Sequence, residues 1–255
     1  MSELVGSAAR FSDRVEDYAR HRPTYPPAAI DAVLEGLGAP AELRAVDIGA
    51  GTGISARLLA DRGVRVIALE PNPHMRAAIG DARIDARDAL ATATGLADGS
   101  VDLVTSFQAF HWFANEDATR EFARILRPGG RVALVWNERD KSDALTEEYG
   151  RIAEAPRHAD TSTGMRGSYR SYVGPLLATG GFGDVRERLF PNVQPVDLEG
   201  LIGRARSASY VPLAGAEADA IVVGLRALHG RFADTAGRVA LVHTTHVFTA
   251  ERPAV

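Results

Sequence analysis

Val46-Asp47-Ile48-Gly49-Ala50-Gly51-Thr52-Gly53 is the stretch whose reading decides the fold. A short apolar run from Ala45 to Ile48 ends in three alternating glycines. Ile54 to Arg62 then reads as a helix, with Gly63 as its C-cap. A strand that passes through a tight glycine turn into a helix is the opening unit of a doubly wound α/β sheet. Glycine suits the turn because it adopts positive φ freely and lets the backbone come close to a ligand. Open parallel sheets bind ligands at such turns.

Outward from that turn, strand and helix patterns alternate. Val64 to Leu69 is β-branched and apolar and ends in Glu70. Asn72-Pro73 starts a short helix, Asn as N-cap and Pro in the first turn. Ala82 to Ala89 is a weaker strand and Val101 to Ser106 a clear one. Asn115 caps a helix whose Phe122, Ile125 and Leu126 share a face, and Arg127-Pro128-Gly129-Gly130 stops it. Arg131 to Trp136 is a fifth strand. Ahead of them Pro26 to Leu37 is a helix with Ile30, Val33, Leu34 and Leu37 as its stripe. Five strands with intervening helices imply right-handed βαβ units and a parallel sheet. In the second half, 155–172 is polar, Phe182 to Phe190 and Ala240 to Ala250 read as strands, and Leu198 to Gly230 reads as mainly helical. The expected fold is a doubly wound, mostly parallel seven-stranded sheet with a helical substrate-covering insertion. The chain is expected to be one domain over 1–255, with N-terminal helices in 1–40, a core in 41–140 and the cover in 141–255.

Composition narrows the chemistry. The 255 residues include no Cys, which excludes disulfides, thiolate catalysis, thiolate zinc sites and iron–sulfur clusters. Lys141 is the sole lysine, and no Gly-Lys-Ser/Thr occurs, which excludes a P-loop NTPase. The net charge of −4 lacks the basic footprint of a nucleic-acid binder. No run of eighteen apolar residues occurs. The N-terminus lacks the apolar core of a signal peptide, so no membrane association and a cytoplasmic location are expected.

Two ligand classes compete for the glycine turn. A dinucleotide loop wants Gly-x-Gly-x-x-Gly, but the glycines are at 49, 51 and 53, and position 54 is Ile. Glu70 at the end of the second strand suits a ribose diol in either class. Asp47 to Gly53 followed by Glu70-Pro71-Asn72 resembles the first motif and the acidic second-strand end of class I S-adenosylmethionine (SAM)-dependent methyltransferases. Tyr18-Ala19-Arg20-His21-Arg22-Pro23-Thr24-Tyr25-Pro26 resembles the N-terminal signature of the small-molecule branch that includes trans-aconitate methyltransferase-like proteins. Ser106-Phe107-Gln108-Ala109-Phe110-His111-Trp112-Phe113 is similar to that branch's segment after strand four, Leu126 to Gly130 to its next turn, and Ser207 to Tyr210 to its later helical insertion.

The resemblance implies SAM as cofactor and S-adenosylhomocysteine (SAH) as product. Gly49, Ala50, Gly51 and Gly53 would line the methionine part, and Asp47 would hold the loop or reach the amino group through water. Glu70 would accept from the ribose hydroxyls, with Pro71, Asn72 and Pro73 beside the adenine. Tyr18 and Arg22 would close over the cofactor as part of a lid, Arg22 toward its carboxylate. Ser106 and Gln108 would complete the cofactor wall. The branch usually has a small polar residue, Ala and an acid after strand three; this chain has Leu90-Ala91-Thr92. That leaves the Ala91 backbone or Asp88 for the adenine amino group.

Phe107, Phe110, Trp112 and Phe113 crowd one segment expected to face the methyl group; about two of the four are expected to be core. Phe107, His111, Trp112, Phe113 and Tyr210 are the candidate substrate contacts. His111 is the candidate base, since imidazole titrates near neutrality, although a carboxylate acceptor needs none. His243 and His246, three apart on a strand, point to opposite faces, so no metal site is expected. Asn137, Glu138 and Asp140 border the expected pocket. Arg166, Arg170, Arg204, Arg206, Tyr172 and Ser207 lie in covering segments where an arginine fork suits an acidic substrate. The function implied is methyl transfer to an O, N or carboxylate acceptor on a small molecule, by a monomer or homodimer. An NAD(P)-dependent oxidoreductase and a non-catalytic SAM-binding protein are the alternatives.

Overall fold

A computed structural model describes residues 13–154 and 169–254. Seven strands form one sheet: β1 Arg44–Ile48, β2 Arg65–Leu69, β3 Ile84–Arg87, β4 Val101–Phe107, β5 Leu126–Arg139, β6 Arg186–Val196 and β7 Val239–Glu251. Their order is β3-β2-β1-β4-β5-β7-β6. The first five are parallel, and β7 runs antiparallel between β5 and β6. The order reverses between β1 and β4. The turns after those two strands leave in opposite directions and open a crevice between them.

The helices are α1 Val15–His21, α2 Pro27–Leu34, α3 Ile54–Ala60, α4 Pro73–Ala77, α5 Glu116–Ile125, α6 Ala144–Glu154, α7 Tyr169–Thr179, α8 Leu198–Arg206 and α9 Ala216–Phe232. One face of the sheet packs Ala45, Val66, Leu103 and Val135 against Ile30, Val33 and Leu59 of α2 and α3. The other packs Val46, Ile67, Val104 and Trp136 against Phe122 and Ile125 of α5 and Leu177 of α7. Alternate residues of each strand thus meet helices on both sides, which is why the central strands are mostly apolar on both faces. A third cluster joins Tyr149 of α6, Leu201 and Ala205 of α8, and Leu225 of α9 to Leu241 of β7. It forms the cover over the carboxyl end of the sheet. Among the described residues no helix is long and apolar enough to cross a membrane.

The structure moves several boundaries. β6 starts at Arg186 rather than Phe182 and continues through Pro191 and Pro195 to Val196. Proline is tolerated there because β6 is an edge strand with one unpaired side. The 198–230 stretch is two helices, separated by Ser207 to Gly215, where Pro212 and the positive φ of Gly215 break the pattern. Arg127 to Gly130 belongs to β5 as a bulge, since pairing with β4 jumps from Leu126 to Arg131. The Gly129 N–H donates to the Arg252 carbonyl at 2.9 Å, which holds the bulge. The helix expected over Pro26 to Leu37 ends at Leu34, two residues before Gly36 at φ +78°.

The N-terminal segment is tied to the cover. Arg14 is buried, and its Nη1 donates to the carbonyls of Arg206 and Val211 at 3.2 and 3.1 Å, and to that of Ala208. Gln194 Nε2 donates to the His21 carbonyl at 2.8 Å. Asn137 and Asn192 donate to the Thr24 carbonyl at 3.1 and 2.8 Å.

Candidate active site

The glycine turn curls back onto β2: the N–H groups of Gly49 and Ala50 both donate to the Leu69 carbonyl, at 2.9 and 3.1 Å. Gly49, Gly51 and Gly53 all have positive φ. At Gly49 a Cβ would lie 2.6 Å from the Ala109 Cβ, so the turn presses directly on the segment after β4. At Gly53 a Cβ would meet Ile79 and Arg57, so this glycine serves packing against α4 and α3. At Gly51 the nearest atoms are 3.8 Å away, on Met75 and Tyr18.

Two buried carboxylates brace the turn. Asp47 Oδ2 accepts from the Ser55 hydroxyl at 2.6 Å and Oδ1 from the Thr105 hydroxyl at 2.8 Å. Asp47 is wholly buried and joins β1, α3 and β4. Burial pushes its carboxyl up to about 6, against the pull of the two hydroxyls. Glu70 Oε2 accepts from the Gly51 N–H at 2.8 Å and Oε1 from the Asn72 N–H at 2.9 Å. Burial raises the Glu70 carboxyl, opposed by those two N–H groups and by the Arg76 guanidinium. Asn72 caps α4, its Oδ1 accepting from the N–H of His74 and of Met75.

After β4 the chain takes an unusual path. Gln108 has φ +54°, alone among the described non-glycine residues in being positive. Such a conformation costs about 1–3 kcal/mol and persists where surroundings enforce it. Here the Gln108 N–H donates to the Val135 carbonyl at 2.8 Å, and Nε2 to the Asn137 carbonyl at 2.9 Å. A single 3-10 turn, Phe110–Trp112, follows. Phe107 and Phe110 are buried; Trp112 and Phe113 are half-buried. Phe107 meets Tyr25 edge-on at 4.7 Å. His111 Nδ1 accepts from the Trp136 indole N–H at 3.3 Å, so the neutral ring carries its proton on Nε2.

A cleft opens between these parts, lined by Tyr18, Arg22, Pro23, Tyr25, Gly49, Ala50, Ile54, Ser55, Phe107, Gln108 and Asn137. The Arg22 guanidinium lies over the Tyr18 ring at 4.6 Å, and its Nη2 donates to the Ser207 carbonyl at 3.0 Å. Asn137 Oδ1 accepts from Asn192 at 3.1 Å and from the Thr245 hydroxyl at 2.5 Å. The structure therefore brings Tyr18, Arg22, Gly49, Ala50, Phe107 and Gln108 to one wall system. Gly51 follows Ala50 beside Tyr18, and Glu70, which accepts from the N–H groups of Gly51 and Asn72, adjoins that wall without lining the cleft.

Other expected residues fall elsewhere. Asp88 is largely exposed and pairs with Arg76 at 3.4 Å. Leu90 is exposed, Ala91 is buried and Pro71 is half-buried. Ser106 is fully buried in β4, and its hydroxyl has no partner among the described residues. Glu138 pairs with His246 at 3.2 Å, and Asp140 accepts from the Ser142 N–H and hydroxyl. Arg206 is exposed. His243 packs in the interior while His246 pairs with Glu187 and Glu138 on the opposite face. Arg166 and the side chains of Arg170 and Tyr172 lie outside the described residues. Among the described residues no cluster of His, Asp and Glu could hold a metal ion. Pro23, Tyr25, Ile54 and Ser55 were not foreseen. Tyr25 sat inside the quoted N-terminal signature, and Ser55 sat in the first turn after the glycines, where a hydroxyl can reach back to Asp47.

The cleft fits a nucleoside-bearing cofactor. Glu70 is a buried acid whose two oxygens each keep a lone pair beyond the N–H they accept. An added Cβ at Gly51 would only touch Met75 and Tyr18 at van der Waals distance, so the turn is not pressed closed on that side.

Comparison with known proteins agrees. A family model described as a methyltransferase domain matches residues 46–134. An uncharacterized methyltransferase of Mycobacterium tuberculosis is 43% identical over 144 residues, 56% of this chain and 58% of that one. The chain thus spans under two thirds of the mycobacterial relative. An uncharacterized methyltransferase-like protein of Schizosaccharomyces pombe is 33% identical over 205 residues, 79% of this chain and 78% of that one. A solved structure from Anaeromyxobacter dehalogenans, provisionally assigned as a type II methyltransferase, superposes with a TM-score of 0.62 at 26% identity, over 92% of this chain and 98% of that one. A Streptomyces coelicolor geranyl diphosphate C-methyltransferase, solved with SAH, shares the fold at a TM-score of 0.55 and 16% identity, over 99% of this chain and 98% of that one. Sheet order, glycine turn and relatives lead to one assignment: the chain belongs to the class I SAM-dependent methyltransferases.

Proposed function

We propose that this chain transfers a methyl group from SAM to an oxygen, nitrogen or carboxylate acceptor on a small molecule. The observation that carries the proposal is the Glu70 carboxylate, buried and fixed by the N–H groups of Gly51 and Asn72 beside the cleft. Bound SAM supplies an electrophilic methyl group on a cationic sulfur. Glu70 would accept from the two ribose hydroxyls. The turn at Gly49 to Gly51 would take the cofactor backbone to backbone. Tyr18 and Arg22 would cover it from the N-terminal segment. Phe107 and Tyr25 provide an apolar wall that excludes water, and a charge-losing displacement gains from that. Positioning is the protein's main contribution to such a step.

His111 enters this reading as a donor. With Nδ1 accepting from the Trp136 indole, the neutral imidazole carries its proton on Nε2 and acts as a donor rather than a base, which suits an acceptor that is already anionic. The net charge of −4 supports a small molecule over a nucleic acid as acceptor. Within this reading the enzyme works in the cytoplasm as a monomer or homodimer.

Calorimetric titration with SAH, and with NADH in parallel, tests the proposal. SAH is expected to bind and NADH not to. Glu70→Ala is expected to weaken SAH by about 10- to 100-fold, the worth of hydrogen bonds to a charged acceptor. NADH binding without SAH would overturn the reading in favour of hydride transfer. SAH binding with no SAH formed from SAM across a broad acceptor panel would mark a binding protein.

A further inference from the structure

Beside the cleft residue Arg22 lies a buried guanidinium with no acidic partner among the described residues. Arg204 of α8 is 8% exposed. Its Nη1 approaches the Ser207 hydroxyl oxygen at 3.4 Å, a weak contact. Its Nε is buried and has no hydrogen-bond partner among the described residues. The charges and phenols that act on it most strongly are Arg22, Tyr149, Tyr210 and Arg139, none of them a carboxylate, and Tyr25 and His243 also lie within its reach. Burial and the Arg22 charge lower it to about 10. Arg139, the third arginine here, is already paired with Glu154.

The surroundings sharpen the point. Arg22 lines the cleft and also has a buried Nε without a partner among the described residues. The two guanidiniums converge on one residue: Arg22 donates to the Ser207 carbonyl, and Arg204 faces the Ser207 hydroxyl. His243 of β7 lies near Arg204 and Arg139. It is held to about 4 by burial and by those two charges, so it is neutral at pH 7. The carbonyls of Leu241 and Asn192 face its ring. A buried guanidinium beside a half-buried one, with no counter-charge among the described residues, is a costly arrangement unless something anionic completes it. An arginine fork matches a planar oxyanion.

We propose that Arg204, with Arg22, forms an oxyanion subsite that holds a carboxylate or phosphate group of the methyl acceptor. The proposal rests on the methyltransferase reading above and narrows its substrate to an anionic small molecule. The acceptor is favoured over the cofactor as owner of the charge because of where Arg204's neighbours come from. Tyr149 belongs to α6, Tyr210 follows α8 and His243 lies on β7; none comes from β1 or β2, which hold the glycine turn and Glu70.

The test is thermal melting of the SAH-loaded protein with succinate, with inorganic phosphate, with neutral dimethyl succinate, and with sodium chloride at matched ionic strength. At roughly ten times its dissociation constant, the favoured anion is expected to raise Tm by about 3–6 °C over sodium chloride, and dimethyl succinate is not. Arg204→Met is expected to bind SAH within about twofold of wild type, to melt no lower than wild type, and to lose the anion's effect. Should Met prove poorly folded, Arg204→Lys keeps the charge and loses the fork. It is expected to weaken anion binding about tenfold, and unchanged anion binding in it would overturn the proposal. SAH binding with no anion effect in wild type, or the same effect in Arg204→Met, overturns it as well. Loss of SAH affinity in Arg204→Met without loss of the anion effect assigns the charge to the cofactor's carboxylate and also overturns it. If wild type binds no SAH, the methyltransferase reading fails, while the anion series on the unloaded protein still decides the subsite.

Discussion

Gly49→Ala isolates the closest contact in the candidate site. The residue has φ +71°, and an added Cβ would lie 2.6 Å from the Ala109 Cβ and 3.2 Å from Phe113 Cε1. Left-handed backbone costs an L-residue about 1–2 kcal/mol. Overpacking a rigid contact adds about 1–3 kcal/mol. The expected loss is about 2–5 kcal/mol, which for a chain of this length lowers Tm by roughly 4–20 °C. Gly237→Ala separates the two causes, because Gly237 has the same φ of +71° and nothing within 4 Å of the added Cβ. It should show the backbone cost alone, about 1–2 kcal/mol. Ala109→Gly removes the obstructing methyl. In the double variant with Gly49→Ala, about 1–3 kcal/mol should return as an interaction energy, since Phe113 can yield a few tenths of an ångström. Urea unfolding of the three single variants and the double variant gives the cycle. SAH titration should show Gly49→Ala binding weakly and the double variant recovering. If Gly49→Ala costs no more than Gly237→Ala, or if the cycle is additive, the turn does not rest on Ala109 and the argument fails.

Asp47 makes stability depend on pH in an unusual direction. Its folded value of about 6 lies above the ordinary 3.8, so between those values the folded state holds the extra proton. Stability from this group therefore rises as pH falls through about 6 and is complete near 3.8. The interval corresponds to about 3 kcal/mol. Urea unfolding from pH 8 down to pH 4 should show wild type gaining on Asp47→Asn by that amount; parallel curves would refute the assignment. For His111, nitrogen NMR of the imidazole should report a proton on Nε2 in wild type and a mixture of tautomers in Trp136→Phe. A proton on Nδ1 in wild type would contradict the Trp136 bond.

What was legible in the sequence was local. The glycine turn, Glu70 and the Asn72 cap lie within about 25 residues of one another and encode their geometry directly: positive φ, a strand-end acid, a side-chain cap. The central parallel strands announced themselves because both faces of the sheet are covered there, which makes them mostly apolar, while the edge strand β3, Ile84–Arg87, read weakly. β6 was misjudged for a reason of pairing. Pro191 and Pro195 look like strand breakers, and only its place at the sheet edge makes them harmless. The sequence names Arg204 only as one of four arginines in the covering segments and does not single it out. The signal that distinguishes it was present: Leu201, Arg204, Ala205 and Ala208 share one helical face, and the other three are apolar and buried. A charged residue on an apolar stripe is the one to question. Tyr25 and Asn137 were harder to place, because their partners, Phe107 and Thr24, are over eighty residues away in sequence.

That difference in reach separates the two ends of the cleft physically. The cofactor end is built from β1, β2 and the turns beside them, and its bonds run between groups close in sequence. The covered end is assembled from the N-terminal segment, α6, α8 and β7, and the N-terminal segment meets its partners across more than a hundred residues of sequence. Its ties run largely from side chain to backbone: Arg14 and Arg22 to carbonyls of residues 206–211, Asn137 and Asn192 to Thr24, Gln194 to His21. A carbonyl accepts whatever side chain its residue carries, so these ties place few demands on the sequence of the cover. Gly203 is an exception, because an added Cβ there would collide with the His21 ring. Side chains facing the acceptor are thus free to change while the segment stays docked and the cofactor end stays intact. A cover built this way can be reshaped without rebuilding the fold, because most of its ties end on backbone carbonyls.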